Sequence, residues 1–179
     1  MKIGLLGTSG SGKTTLAFRL AHELKAAGIS VDAAFQEDRR WTFRKEHLDT
    51  DINTQYCFVL SQALLESWLM ANPKVSVIIT DQCVLVHYAY LELTFGKNNP
   101  IRSFVFDWLK TYDVLYYLPP RKGYVEDGVR PPKKLRDDAD KLLCEWIQSM
   151  PNVSVLPPHR ILADLLDRID DASIAPIAQ

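Results

Sequence analysis

The first fifteen residues, MKIGLLGTSGSGKTT, constrain this chain more than any other stretch. An apolar run from Ile3 to Leu6 breaks into Gly7-Thr8-Ser9-Gly10-Ser11-Gly12-Lys13-Thr14, which fits G-x-x-x-x-G-K-[ST], the spacing of a phosphate-binding P-loop. The residue types answer to the chemistry. Glycines let the chain curl until successive backbone N–H groups point inward, and a phosphate can approach with no Cβ in the way. The Lys13 ammonium is a point charge for the β/γ-phosphates, and the Thr14 hydroxyl is a ligand type that suits Mg²⁺. Gly7 through Thr15 is therefore the predicted ATP-binding stretch. A helix starting here aims the positive end of its dipole at the same phosphates. Leu16, Ala17, Leu20, Ala21 and Leu24 recur at helical spacing directly afterwards. The plainer alternative is a Gly/Ser-rich turn between a strand and a helix.

The rest of the chain alternates in the same way. Ser30–Phe35, Val75–Thr80, Asp113–Leu118 and Val153–Leu156 read as further strands, and Val75–Thr80 is an unbroken run of the kind buried on both faces of a parallel sheet. Helices are predicted over 53–71, 83–95, 101–111, 137–150 and 158–169. In the first of these, Tyr56, Val59, Leu60, Ala63, Leu64, Ser67 and Trp68 form the apolar face, and Gln55, Gln62 and Glu66 a separate polar stripe. Five parallel strands alternating with helices give an α/β fold, a three-layer α/β/α sandwich; the P-loop adds the expectation of the P-loop NTPase type, with strand order 2-3-1-4-5. The expected organisation is one domain over residues 1–170, with a lid at about 121–136 and a flexible tail at 171–179.

Composition narrows the class. The 179 residues carry a net charge of −1, so no overall electrostatic pull towards nucleic acid or membrane is built in. Cys57, Cys83 and Cys144 match no disulfide or zinc spacing and fit a reducing compartment. No apolar run approaches the ~20 residues needed to span a membrane. The expectation is a soluble, cytoplasmic protein.

In open parallel sheets ligands bind at the carboxyl ends of the strands, so the residues just after each strand are the candidates. Asp81 follows the most hydrophobic strand, where an acidic residue organises Mg²⁺ beside the P-loop hydroxyl; as an alternative it caps the following helix. Glu37 and Asp38 follow the second strand and are candidates to take a proton from an attacking hydroxyl, with Arg39, Arg40 and Trp41 beside them. Gln62 and Glu66 are candidate substrate contacts, since amides suit the edge of a base; a solvent-facing stripe is the alternative. Trp41 is a candidate stacking partner for a planar ring and Arg39 a candidate substrate contact. The segment 121–136 holds six basic residues against two acidic ones. It reads as a lid whose Arg130 and Arg136 close on transferring phosphate, or else as a basic surface loop.

Together these pieces resemble the P-loop kinases of nucleosides and nucleotides, and within them the AAA-type ATPase/kinase group that includes the ribosylnicotinamide kinase domain of NadR-like proteins. The resemblance rests on GTSGSGKT at 7–14, Glu37, Gln62-x-x-x-Glu66, Thr80-Asp81, Tyr88-x-Tyr90-Leu91 and Glu126-Asp127-Gly128-Val129-Arg130. It spans about residues 1–140, and the P-loop is its one highly specific element. It implies an ATP- and Mg²⁺-dependent kinase acting on a nucleoside-like small molecule. One departure stands out. Such kinases commonly carry Asp-Arg or Glu-Arg after the third strand, where this chain has Asp81-Gln82. An uncharged amide there favours a neutral hydroxyl acceptor over a monophosphate. Some phage-type kinases resembling this group act on hydroxymethylated pyrimidines within DNA, and the sequence admits that reading. A nucleotide-dependent switch or motor is the rival class.

Overall fold

The structure, a computed structural model, describes residues 1–35, 51–97, 100–126 and 130–174. Its elements run β1 (Lys2–Leu6), α1 (Lys13–Ala26), β2 (Val31–Ala34), α2 (Ile52–Met70), β3 (Val77–Thr80), α3 (Val84–Phe95), α4 (Ile101–Leu109), β4 (Val114–Tyr117), α5 (Lys133–Ile147), β5 (Val153–Ser154) and α6 (Ile161–Ile174). The five strands form one sheet in the order β2-β3-β1-β4-β5, every neighbouring pair parallel, as the alternating pattern predicts. Register brings the strand ends level: Ala34 pairs with Thr80, Gly4 with Thr80, and Leu6 with Tyr117. Gly7, Asp81 and Leu118 therefore emerge along one edge, where the sequence rule places the site.

Strand alternation sorts the core into two layers. Ile3, Leu5, Val77, Ile79, Val114 and Tyr116 pack against α1 and α6. Leu6, Leu115 and Tyr117 pack with Val59, Ala63, Tyr88, Val105 and Leu143 from the helices of the opposite face. Gly4 is needed on that face, because a Cβ would lie 3.0 Å from the Tyr112 ring and collide with Leu115.

Three expectations need correcting. First, α5 begins at Lys133 and not at 137. Pro131-Pro132 lead into it, and a proline at a helix start forfeits no backbone bond. Arg136 thus sits on a helix. Second, α6 starts after Pro157-Pro158 and continues to Ile174, four residues into the expected tail.

The third correction is a rotation of α2. Of the predicted apolar face, Val59 and Ala63 are buried, while Leu60, Leu64 and Trp68 are exposed. The buried side carries Phe58, Val59, Gln62, Ala63 and Glu66. The cause is Lys2. Its ammonium is buried at the start of β1, lies 3.9 Å from the centre of the Tyr112 ring and 4.6 Å from that of Trp108, and meets Glu66 Oε2 at 2.6 Å. Glu66 also accepts hydrogen bonds from Trp108 Nε1 (2.7 Å), the Tyr112 hydroxyl (2.8 Å) and Gln62 Nε2 (3.0 Å). A buried cation needs a counter-ion, and the helix turns its carboxylate inward to supply one.

Candidate functional site

The site starts from Gly7. β1 ends at Leu6, whose carbonyl accepts the Leu118 N–H at 2.7 Å. Gly7 then turns away with φ of 147°, and a Cβ there would collide with the Leu118 carbonyl. Gly10 and Gly12 also have positive φ, and Gly12 is the residue from which α1 springs. Only glycine adopts these angles without strain. Gly7→Ala is expected to cost about 2–4 kcal/mol and to abolish nucleotide binding, as denaturant titration and a binding isotherm would show.

The loop's chemistry converges. The Ser11 N–H donates to the Thr8 carbonyl at 3.3 Å, which closes the curl. Lys13 is buried, and its ammonium donates to the Thr8 carbonyl at 3.0 Å. Thr8 and Ser11 are buried; Ser9 is half-buried, and Gly10 and Thr15 are exposed. The Thr14 hydroxyl donates to Asp81 Oδ2 at 2.8 Å. Asp81 in turn is fixed by its own N–H, which donates to the Ala34 carbonyl of β2. Thus Thr14 and Asp81, read from separate parts of the sequence, meet beside the loop.

Opposite the loop lies the segment between β4 and α5. A Cβ on Gly10 would sit 3.0 Å from the Tyr124 ring, and one on Gly12 would run into the Arg121 guanidinium. Tyr124 donates its hydroxyl proton to the Pro131 carbonyl at 2.6 Å. The Arg136 guanidinium lies over the Tyr124 ring, 4.2 Å from its centre. Arg136 is buried; its Nε donates to Asp137 Oδ1 at 2.8 Å, while Nη1 is enclosed with no hydrogen-bond partner among the described residues. The Arg136 hydrogen bond holds the Asp137 carboxyl below the usual carboxylate range. Arg130 stands further off, 6.0 Å from the same ring. Tyr90 reaches across from α3, its hydroxyl 3.5 Å from the Ser9 nitrogen. Asp140, one turn beyond Arg136, accepts from Tyr117 at 3.0 Å; burial pushes its carboxyl up, against the pull of that hydroxyl and of Arg136.

Other predicted residues fall elsewhere. Glu66 is fully enclosed in the Lys2 network at the start of the strands, so its expected substrate contact is replaced by a counter-ion's place in the core. Gln62 is fully buried beside it, its Oε1 without a partner among the described residues. Gln82 is buried, with its amide nitrogen 3.3 Å and 3.4 Å from the two ring nitrogens of His87. Glu37, Asp38, Arg39 and Trp41 lie outside the described residues. Sequence reasoning passed over Arg121, Tyr124 and Asp140. The strand-end rule, applied to β4 as it was to β3, points at Pro119-Pro120-Arg121.

The donors suit a nucleotide and a hard cation. Three positive-φ glycines leave backbone N–H groups uncovered beside a buried ammonium, and the enclosed Ser11 hydroxyl has no partner among the described residues. One hydroxyl and one carboxylate oxygen match Mg²⁺, which keeps several waters and takes phosphate oxygens instead of an all-protein cage.

Residues 2–158 match the AAA domain family. The chain belongs to that family. No curated protein matches by sequence. Among solved structures the family member is similar to a NadR protein in complex with NAD and AMP-PNP: TM-score 0.71, 16% identity, 94% of this chain covered. The match takes in 49% of the NadR chain, so this chain spans about half its length. It is also similar to deoxyadenosine kinase from M. mycoides, with the products dCMP and dCDP bound: TM-score 0.62, 14% identity, 97% of this chain and 98% of that one. The chain thus shares with these two structures its fold, a five-stranded parallel sheet with a P-loop after the first strand. No helix among the described residues is long and apolar enough to cross a membrane.

Proposed function

We propose that this AAA domain is an ATP- and Mg²⁺-dependent phosphotransferase that moves the γ-phosphoryl group of ATP onto a hydroxyl of a nucleoside-like small molecule. The observation that carries this is the Thr14–Asp81 hydrogen bond. It joins the P-loop to the end of β3 and presents two hard oxygen ligands where a phosphate-bound Mg²⁺ belongs. When bound, Mg²⁺ neutralises charge on the β- and γ-phosphates. The N–H groups of Thr8 to Thr15 hold the phosphates, and Lys13 swings from the Thr8 carbonyl to their oxygens. Glu37 or Asp38 takes the acceptor's proton as its oxygen attacks the γ-phosphorus. The bond from that phosphorus to the bridging oxygen breaks, and ADP leaves. Arg136, with Arg121 and Arg130, neutralises the transferring group.

Residues 121–136 act as a lid in this reading, and residues 1–170 as one catalytic unit. The lid excludes water that would otherwise hydrolyse ATP. Gln82 supplies no charge, so an uncharged acceptor is favoured over a monophosphate. The nucleotide ligands named for the two similar structures support a nucleoside-like acceptor, and three unpaired cysteines support a cytoplasmic setting.

The test is ATP consumption with Mg²⁺ over nucleosides, nucleoside monophosphates, ribosylnicotinamide and hydroxymethylpyrimidine DNA. A phosphorylated small molecule is the expected product, lost in Asp81→Asn by about a hundredfold or more. Phosphate on the DNA bases alone would move the acceptor to a polymer. ATP hydrolysis stimulated only by protein or DNA, with no phosphorylated acceptor, would replace the kinase by a switch or motor.

A further inference from the structure

α3 reaches the phosphate loop without bringing a positive charge to it. Its sequence, VLVHYAYLELTF, holds no lysine or arginine. Gln82, just before it, is an uncharged amide beside His87. The cations come from elsewhere: Lys13 from the loop and Arg136 from the start of α5. Of the two tyrosines on α3, Tyr88 donates to Glu92 Oε2 at 2.8 Å. Tyr90 turns to the loop instead, where its hydroxyl oxygen accepts from the Ser9 N–H at 3.5 Å. A good N–H···O bond spans about 2.7–3.2 Å, so this contact is weak and readily exchanged.

The Thr8–Ser9 peptide unit is met at both ends. Lys13 donates to its carbonyl at 3.0 Å, and Tyr90 sits on its N–H. A P-loop lysine serves the β- and γ-phosphates, so Tyr90 stands towards the γ end of the loop, away from residues 12–15 where α1 begins. Burial pushes the Tyr90 hydroxyl above the usual tyrosine range. Tyr124 and Asp140 add to that, while the Ser9 N–H and the Arg136 charge pull against it. The group therefore stays protonated, a donor at any working pH. Its proton meets no acceptor among the described residues, and the enclosed Nη1 of Arg136 has none there either.

We propose that Tyr90 is a further catalytic residue, a neutral donor whose hydroxyl hydrogen-bonds an oxygen of the γ-phosphoryl group. The inference rests on the phosphotransferase reading above. An oxygen at ordinary hydrogen-bond distance from both partners fits beside two groups 3.5 Å apart, so one phosphoryl oxygen can accept from the Ser9 N–H and the Tyr90 O–H together. A donor strengthens with the charge on its acceptor, so the α3 side contributes to holding the transferring group without a cation. No proton leaves Tyr90. The acceptor's proton goes to the carboxylate after β2, the acceptor oxygen bonds to the γ-phosphorus, and the bond to the bridging oxygen breaks to release ADP.

The experiment is calorimetric binding of AMP-PNP and of ADP, each with Mg²⁺, to the full chain as wild type and as Tyr90→Phe, with transfer kinetics on the same preparations. Phenylalanine keeps the ring and removes only the hydroxyl. Affinity for AMP-PNP should fall about fivefold or more while that for ADP stays within about twofold; kcat should fall about tenfold or more at unchanged acceptor KM and melting temperature. A tyrosine that only braces the loop would weaken both nucleotides alike, so equal losses overturn the proposal. A Tyr90→Phe protein that binds and transfers as wild type does overturns it too, and leaves the phosphotransferase reading standing. A loss confined to AMP-PNP supports the Tyr90 contact even in a protein that phosphorylates no acceptor, because binding is read without turnover.

Discussion

Replacing Lys13 with methionine is expected to cut phosphoryl transfer by about a thousandfold while leaving the fold at least as stable. The two effects separate because the ammonium is costly to the ligand-free protein and useful only when phosphate is present. Lys13 is buried, with its ammonium donating to the Thr8 carbonyl at 3.0 Å, and holding a charge out of water is costly even when it is partnered. Methionine fills the same space with no charge to desolvate, so the melting temperature should hold or rise. In the reactive complex the same ammonium faces developing charge on the phosphoryl oxygens in a site with little water, where a fixed donor is worth several kcal/mol. Steady-state kinetics and thermal denaturation on one preparation check both halves. Transfer within tenfold of wild type in Lys13→Met would remove the P-loop lysine from the proposed reaction.

The glycine loop after β1 was legible because local chemistry fixes it. Gly7, Gly12, Lys13 and Thr14 are adjacent in sequence, and the φ values that loop needs admit few other residues. The parallel sheet followed from the repeated strand–helix alternation, its order 2-3-1-4-5 from the P-loop type of fold, and Asp81 as a candidate from the rule about strand ends. What sequence could not supply was contact between distant residues. Arg121 and Tyr124 look like members of a basic loop until β4 and β1 pair and bring Leu118 to Gly7. Arg136 was read as a lid residue for a different reason. Most of the apolar positions of α5 follow it, and the two prolines before the helix read as loop punctuation. The inversion of α2 is the most instructive case. Leu60, Leu64 and Trp68 outweigh Gln62 and Glu66 on any hydrophobicity scale, and the periodicity rule puts the larger apolar stripe inward. It has no means of knowing that Lys2, more than sixty residues before Glu66, enters the core and requires a carboxylate.

Removing that carboxylate's charge should therefore be among the most damaging changes outside the nucleotide site. Glu66→Gln is expected to destabilise the fold by about 3–5 kcal/mol, because it leaves the Lys2 ammonium buried without a counter-ion. In a chain of this size that lowers the melting temperature by roughly 10 °C. Shape is kept: glutamine has the volume of glutamate and can still accept from Trp108 Nε1 and the Tyr112 hydroxyl, so the loss isolates charge. Two further measurements separate this cause from a packing defect. Adding Lys2→Met should restore most of the loss, since a neutral side chain against the Tyr112 and Trp108 rings no longer needs a partner. The deficit of the single variant should also shrink as pH rises. Burial already holds the Lys2 pKa below its ordinary 10.5 against the upward pull of Glu66. Without Glu66 the folded-state value drops further, while the unfolded chain keeps the ordinary one. The unfolded state then binds more protons between those two values, so the variant gains stability across that window relative to wild type. A deficit that stays constant from neutral to alkaline pH would mean that the Glu66 charge is not what holds Lys2 in the core.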